Sequence, residues 1–247
     1  MLEVRGLSLR YPNGKQALTS VDLTVQPGEL VILLGGNGSG KTTLLRCLTR
    51  TLTPTAGQVS VAGRDITALS GEELRQARTS LALISQHASL VRRRSVCANV
   101  ASGALGHYSS IMTSLGRLPR AEMASALHHL DAVGLVHLAG QRASTLSGGQ
   151  AQRVAIARAL AQRPRAVLAD EPVASLDPEA AEEIMRLLKR LARTDNLAVL
   201  CVLHQVDLAY GHADRVVGIR DGRVAFDLPK DDLARERVRD LYISEAA

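Results

Sequence analysis

A chain of 247 residues that is 46 % hydrophobic and 22 % charged has an ordinary globular composition, long enough to bury roughly 70–75 % of its unfolded surface without metals or disulfides. Its longest apolar runs, LVILL and LAVLCVL, fall far short of the roughly 20 residues that cross a bilayer, and MLEVRGLSLRY lacks the basic-then-apolar pattern of a secretory signal. A net charge of +6 and a pI near 9.6 leave nucleic acid, an anionic membrane surface or a nucleotide open as partners, but one Phe, four Tyr and no Trp provide few platforms for stacking single-stranded bases.

Strand signals come first along the chain. Alternation through LEVRGLSLRY, and again at Leu18, Val21, Leu23 and Val25, predicts two strands with one buried face each, joined by the turn PNGKQ, as the start of a small antiparallel sheet. ELVILLGGNGSGKTTLLRCLTR then runs from a continuous apolar strand through glycines into a helix with Leu44, Leu45 and Leu48 on one side. A turn and strand pair in GQVSVAGRDI follows, and then a short buried strand in LALISQ ending at Gln86.

From about residue 92 to 163 no strong strand pattern remains. AEMASALHHLDAVGL places Met123, Leu127, Leu130 and Val133 at helical spacing, so this stretch is predicted to be mostly helical. Strand pattern returns in AVLAD, followed by a helix in PEAAEEIMRLLKRLART with Ile184, Leu187, Leu188 and Leu191 on one face, and by a strand in LAVLCVLHQ. That is the order of parallel βαβ units. A hairpin with an Asp221-Gly222 turn and a short polar tail close the chain. Cys47, Cys97 and Cys201 are odd in number and lie among apolar neighbours, which reads as reduced, buried thiols. His107, His128, His129 and His137 have no obvious metal spacing.

Residues 35–42, GGNGSGKT, fit G-x-x-x-x-G-K-[ST] in the strand-to-helix context that a phosphate cradle requires. Gly35, Gly36, Gly38 and Gly40, with Asn37 and Ser39 between them, let backbone N–H groups close around phosphate oxygens. Lys41 supplies a cation for the β- and γ-phosphates, and the Thr42 hydroxyl, with Thr43 beside it, begins the helix where Mg²⁺ would be held. AVLADE ends a strand in Asp170 and Glu171. Asp170 would hold Mg²⁺, directly or through water. Glu171 would accept a proton from an attacking water, a role that only a hydrolase uses; otherwise it is a helix-start acid before Pro172. Gln86 and His204 stand at predicted strand ends, where open parallel sheets place ligands. The amide there would reach Mg²⁺ or orient water and the imidazole would contact a γ-phosphate, although each singly also fits a satisfied structural residue.

A second glycine pair, in TLSGGQAQR at residues 145–153, has no lysine after it and is not another loop of the first kind. Its small residues precede a helix predicted over 152–160, whose N-terminus is an anion site without a nucleotide of its own. LSGGQ at 146–150 resembles the signature motif of ATP-binding-cassette (ABC) proteins. GGNGSGKTT, LSGGQAQR, AVLADEP, ASLDP and VLH stand in that family's order and spacing over nearly the whole chain.

The resemblance implies an α/β fold: a P-loop NTPase core with a RecA-like mixed sheet, an N-terminal antiparallel β subdomain and a helical signature subdomain. All of 1–247 would be one ABC ATPase domain, with 1–91 and 164–247 forming the core and β subdomain and 92–163 the helical subdomain. It implies ATP and Mg²⁺ as cofactors, Mg²⁺ being held by Thr42, Gln86 and Asp170. It also implies a homodimer in which Ser147, Gly148, Gly149 and Gln150 touch the γ-phosphate held by the other copy while Asp177 in ASLDP links the two sites. Tyr11 would lie on adenine, Gln86 would join the Mg²⁺ site to the membrane-facing surface, and SVCANV would lie beside a coupling helix of the membrane domain. The family pattern often has an aromatic before the glutamine where this chain has ISQ.

EPVASLDP, LHQVDLAYGHADRVVGIRDGRV and SGALGHYSSIMTSLGRLPR are similar to the ATPase subunit of phosphonate and phosphite importers, with importers of amino acids or other small solutes the next reading. That similarity implies membrane permease subunits, an external solute-binding protein, a peripheral position on the cytoplasmic face of the cell membrane, and no nucleic acid partner. A soluble ABC protein acting on nucleic acid usually has two cassettes or a long heptad insertion, and a P-loop kinase leaves LSGGQ unexplained. Arg92–Arg94 in VRRRS read equally as a contact for an acidic or lipid surface and as a solvated basic face.

Overall fold

Two sheets absorb the strand patterns in a computed structural model of the chain, which describes residues 1–108 and 118–242. The first is antiparallel, in the order β2-β1-β4-β5, from β1 (Leu2–Arg10), β2 (Gln16–Val25), β4 (Ala56–Val61) and β5 (Arg64–Asp65). The second is mixed, in the order β10-β9-β3-β8-β7-β6. Here β3 (Leu30–Leu34) runs parallel to β8 (Ala198–Val202) and β9 (Arg215–Arg220), and β7 (Ala166–Asp170) runs parallel to β6 (Leu81–Ile84) and β8. The antiparallel edge strand β10 (Arg223–Pro229) folds back from β9 through Asp221 and Gly222. Both turn residues have positive φ, 49° and 72°, as a two-residue type I′ hairpin requires.

The two strands at the middle of this sheet, β3 and β8, carry no charged residue because both of their faces are covered. Leu30, Ile32 and Leu34 of β3 face the helical layer, where they share a core with Val154 and Ile156 of α5 (Gly148–Ala161) and Ile184 and Leu188 of α6 (Pro178–Thr194). Val31 and Leu33 face the other way, into a core with Leu2, Leu7 and Leu18 of the antiparallel sheet and Leu44 and Leu48 of α1 (Lys41–Leu48). Alternating residues of one strand thus serve two cores, which explains the unbroken apolar run. Asp177 caps α6 by accepting a hydrogen bond from Ala180 N–H at 2.9 Å, with Pro178 in the first turn, and the face Ile184, Leu187, Leu188, Leu191 is buried as its spacing predicts.

Between residues 92 and 163, the described residues hold helices and 3₁₀ turns and a single isolated bridge, Ser95 to Arg142. The helices are α3 (Val96–Ala101), α4 (Arg120–Ala132) and α5. α2 (Gly71–Thr79), α7 (Val206–His212) and α8 (Arg235–Asp240) lie outside this stretch. Residues 109–117 of the segment similar to phosphonate importers lie outside the described residues. All three cysteines are free and buried.

Three details depart from the sequence reading. α4 buries Glu122, Ala126 and Leu130, while Met123 and Leu127 are exposed. Leu130 and Val133 of the expected row are buried, but in the first half of the helix the buried positions shift by one residue because a charged residue belongs to them: the Glu122 carboxylate accepts hydrogen bonds from Tyr108 Oη and from Arg163, both at 2.6 Å. β6 ends at Ile84 rather than Gln86, and as the edge strand it leaves Leu83 exposed. The signature helix α5 begins at Gly148 and not at 152, so the glycines are its first turn.

Burial pushes the Glu122 carboxyl up, but the bonds from Tyr108 and Arg163 outweigh it and hold the group below its usual range. A depressed folded-state value means stabilisation that is present at neutral pH and is lost as pH falls through the carboxylate range. Glu122→Ala, which also strands the two donors, is expected to lower stability by about 2 kcal/mol at neutral pH in urea unfolding, with the gap to the parent narrowing in acid.

Candidate nucleotide site

The carboxyl ends of β3, β6, β7 and β8 open on one edge of the mixed sheet, and the residues that follow them are those the motifs single out. After β3, residues 35–40 form a loop that leads straight into α1. Gly38 and Gly40 have φ of 78° and 111°, a region where a side chain is strained. The loop faces a cleft of about 510 Å³ lined by Tyr11, by residues 37–43, by Glu171 and His204, and by Lys15, Gln16, Ala17, Asp221 and Gly222. Helix α1 has no acidic residue in its first turn, so its N-terminal field is left for an anion.

Lys41 is buried beneath the loop, and its Nζ donates to the carbonyls of Gly35 at 2.7 Å and Gly36 at 2.9 Å. An ammonium has three donors, so one remains for a ligand in the cleft. Burial pushes the Lys41 pKa down, and the charges of Glu171 and Asp170 oppose that. Tyr11 Oη lies 3.1 Å from Thr43 Oγ1, which sets the ring at the helix start on one side of the cleft.

Glu171 follows β7 with φ 49°, an unusual conformation for a residue with a side chain. It is held there by its N–H donating to Val202 O at 3.1 Å and its carbonyl accepting from Ala174 N–H at 3.2 Å. This twist brings the carboxylate to His204, whose Nε2 is 2.7 Å from Glu171 Oε1. With the carboxylate ionised, Nε2 is the donor. Backbone strain of this kind costs on the order of 1–3 kcal/mol and persists where surrounding structure fixes it.

The structure brings the predicted residues together in two groups. Tyr11, the loop residues, Glu171 and His204 share the cleft. Ser147, Gly148, Gly149, Gln150 and Asp177 do not line it; they form a second cluster in which an added Cβ on Gly148 would meet Leu176, and one on Gly149 would meet Ala180, each at 3.3 Å. Gln86 is exposed two residues beyond β6 and is also absent from the cleft wall. Arg92, Arg93 and Arg94 are exposed.

The sequence reading missed the floor of the cleft. The Asp221-Gly222 turn, recognised only as a hairpin, packs on the loop: Gly222 N–H donates to Ser39 O at 2.9 Å, and a Cβ on Gly222 would lie 2.5 Å from Ala17 O. The glycine of the Asp-Gly pair was the available signal.

The predicted donors for a divalent cation are hard oxygens of the kind that suits Mg²⁺, but of the three only Thr42 lines the cleft, the Asp170 carboxylate and the Gln86 amide standing outside its wall. Asp170 is half-buried. Its carboxyl is pushed above the usual range by burial and then by the adjacent Glu171 charge, with Arg46, Lys41 and His204 pulling the other way. A cation would relieve that crowding.

Fold and cleft together define the chain as an α/β nucleotide-binding cassette of the P-loop class. The family model described as ABC transporter matches residues 18–174, and the chain belongs to that family. A relative from Halalkalibacterium halodurans, described as phosphonates import ATP-binding protein PhnC 3, is 43 % identical over 98 % of this chain and 94 % of its own length. Among solved structures, cbiO1 of Clostridium perfringens, part of the ABC transporter complex cbiONQ, superposes with a TM-score of 0.84 at 29 % identity, covering 97 % of this chain and 93 % of that one. A dimeric post-hydrolysis state of an ATP-binding cassette bound to ADP and Pi superposes at 0.79 with 31 % identity, covering 93 % and 99 %.

The raised Asp170 value has a definite sign. As pH rises from the acid range, the unfolded chain ionises this group first, so its contribution to folding becomes unfavourable and stays so at neutral pH. Asp170→Asn is therefore expected to raise the melting temperature of the nucleotide-free, metal-free protein by about 1–3 °C near pH 7. Calorimetry in EDTA measures this, and a lower melting temperature would contradict it.

Proposed function

We propose that this protein is the ATP-hydrolysing subunit of an importer for phosphonate or phosphite, working as a pair of identical copies on separate membrane permease subunits at the cytoplasmic face, with a solute-binding protein delivering the cargo. The relative described as a phosphonates import protein supports the transport reading over nearly the full chain. The dimeric cassette with ADP and Pi supports the paired arrangement. No helix of the described residues is long and apolar enough to cross a membrane, which agrees with transport through other chains. One observation carries the enzymatic part: a strained Glu171 aimed into the phosphate-loop cleft and hydrogen-bonded to His204 at 2.7 Å.

In this mechanism the triphosphate lies along residues 35–43, where backbone N–H groups, the free Lys41 donor and the α1 N-terminus meet its charge, with adenine against Tyr11. Thr42 and Asp170 would hold Mg²⁺, with Gln86 joining them from the membrane-facing side, and there the ion would supply neutralisation of phosphate charge. The signature loop 147–150 of the other copy closes the open side of the γ-phosphate, and Asp177 stands between the two sites. Glu171 takes a proton from the attacking water, while His204 fixes its orientation and meets the γ-phosphate. The helical subdomain, 92–163, moves against the core formed by 1–91 and 164–247. ATP drives closure only because it binds the closed pair more tightly than the open one.

Two measurements test this. Glu171→Gln is expected to bind ATP, accumulate as a dimer in size-exclusion chromatography, and lose turnover by about 100-fold or more, the scale of removing a general base; ordinary turnover would exclude Glu171 as the base. Deleting the gene is expected to abolish growth on phosphonate or phosphite as sole phosphorus source and to spare growth on phosphate. Unaffected growth on all three would refute the cargo and leave the ATPase standing.

A further inference from the structure

The mechanism needs Gln86 at the nucleotide site, yet its own strand does little to place it. β6 ends at Ile84, and residues 86–90 make no backbone-to-backbone hydrogen bond among the described residues. Two side chains of α5 grip the segment instead. Gln152 is buried, and its Nε2 donates to Ser85 O at 3.1 Å. Arg158 donates from Nη1 to Ser89 O and from Nη2 to Ala88 O, both at 2.8 Å. The three bonds fall on either side of Gln86, whose exposed side chain takes no part in them.

This is an expensive way to pack a helix. An amide and a guanidinium lie among Val154, Ala155, Ile156 and Ala157, all buried. Both bonds of Arg158 go to carbonyls and neither to a carboxylate. Burial pushes its pKa down, as expected of a charge held away from water without an ion-pair partner. One of the carbonyls it holds belongs to Ser89, whose φ of 48° is left-handed. Such a conformation persists where the surroundings fix it.

We propose that Gln152 and Arg158 are positioning residues for Gln86: from α5 they fix the carbonyls of Ser85, Ala88 and Ser89, and so set where the Gln86 carboxamide stands. This rests on the reading that Gln86 serves the Mg²⁺ of the nucleotide site. The helix that starts at the signature turn, and not the strand that precedes Gln86, then determines the place of that side chain.

Positioning is distinguished from packing by whether the two side chains act through Gln86. Hydrogen exchange of the full chain, read by mass spectrometry, is expected to quicken about five-fold over residues 85–90 in Gln152→Ala and in Arg158→Ala, the scale of one lost hydrogen bond. Exchange in β3 and β8 is expected to stay as in the parent. Steady-state ATPase assays are expected to show kcat lowered about five-fold in each variant, with the KM for ATP within about two-fold of the parent because the phosphate loop is untouched. In a Gln86→Ala background the same substitutions are expected to cost nothing further. Circular dichroism checks that each variant is folded; Arg158→Lys, which keeps a cation for one of the carbonyls, replaces Arg158→Ala if that variant unfolds, and Gln152→Ala decides alone if both do. Unchanged exchange over residues 85–90, or a cost that persists in full when residue 86 is already alanine, would overturn the proposal in favour of a packing role. Ordinary turnover in Gln86→Ala itself would remove Gln86 from the reaction, and this proposal with it.

Discussion

The site depends on backbone packed against backbone. At the start of the phosphate loop, a Cβ on Gly35 would collide with the Ile219 carbonyl of β9; at its end, one on Gly40 would lie 2.9 Å from Ala17 O of β2. Thr19 N–H donates to Gly222 O and Gly222 N–H to Ser39 O. The loop is thus clasped between the mixed sheet, the antiparallel sheet and the β9–β10 hairpin. A concave ring of N–H donors is stable without an anion only when something else fixes its shape. The two-sheet architecture provides that.

Electrostatics then divides the cleft. The ammonium of Lys41 is buried and partly satisfied by two carbonyls, so its charge is fixed in place before a nucleotide arrives. Burial, and then the adjacent Glu171 charge, push the Asp170 carboxyl above its usual range, so keeping it ionised in the nucleotide-free protein costs stability. Such a site trades folding stability for readiness to bind, and the left-handed Glu171 is a second instance of the same trade.

Much of the fold was legible because its central elements are extreme. The unbroken LVILL and LAVLCVL runs have two buried faces, and the α6 face has strict helical spacing. The failures share one cause, which is that partners distant in sequence changed what a local pattern meant. Glu122 is buried because Tyr108 and Arg163 pair with it, and no reading of α4 alone reveals that. Leu83 is exposed because β6 is an edge strand. At the site, the loop, Glu171 and His204 were legible from motif and strand-end position. The hydrogen bond between Glu171 and His204 and the floor contributed by Gly222 were not, because both join segments far apart in the chain.

The contact of Gly148 and Gly149 with Leu176 and Ala180 reaches beyond its own helix. Asp177, between those two residues, caps α6, and residues 171–176 connect that cap to the end of β7, where Glu171 begins. Within one chain, the signature turn, the cap of α6 and the segment that carries Glu171 are therefore one continuous unit, fixed relative to one another by packing at one end and by six residues of chain at the other.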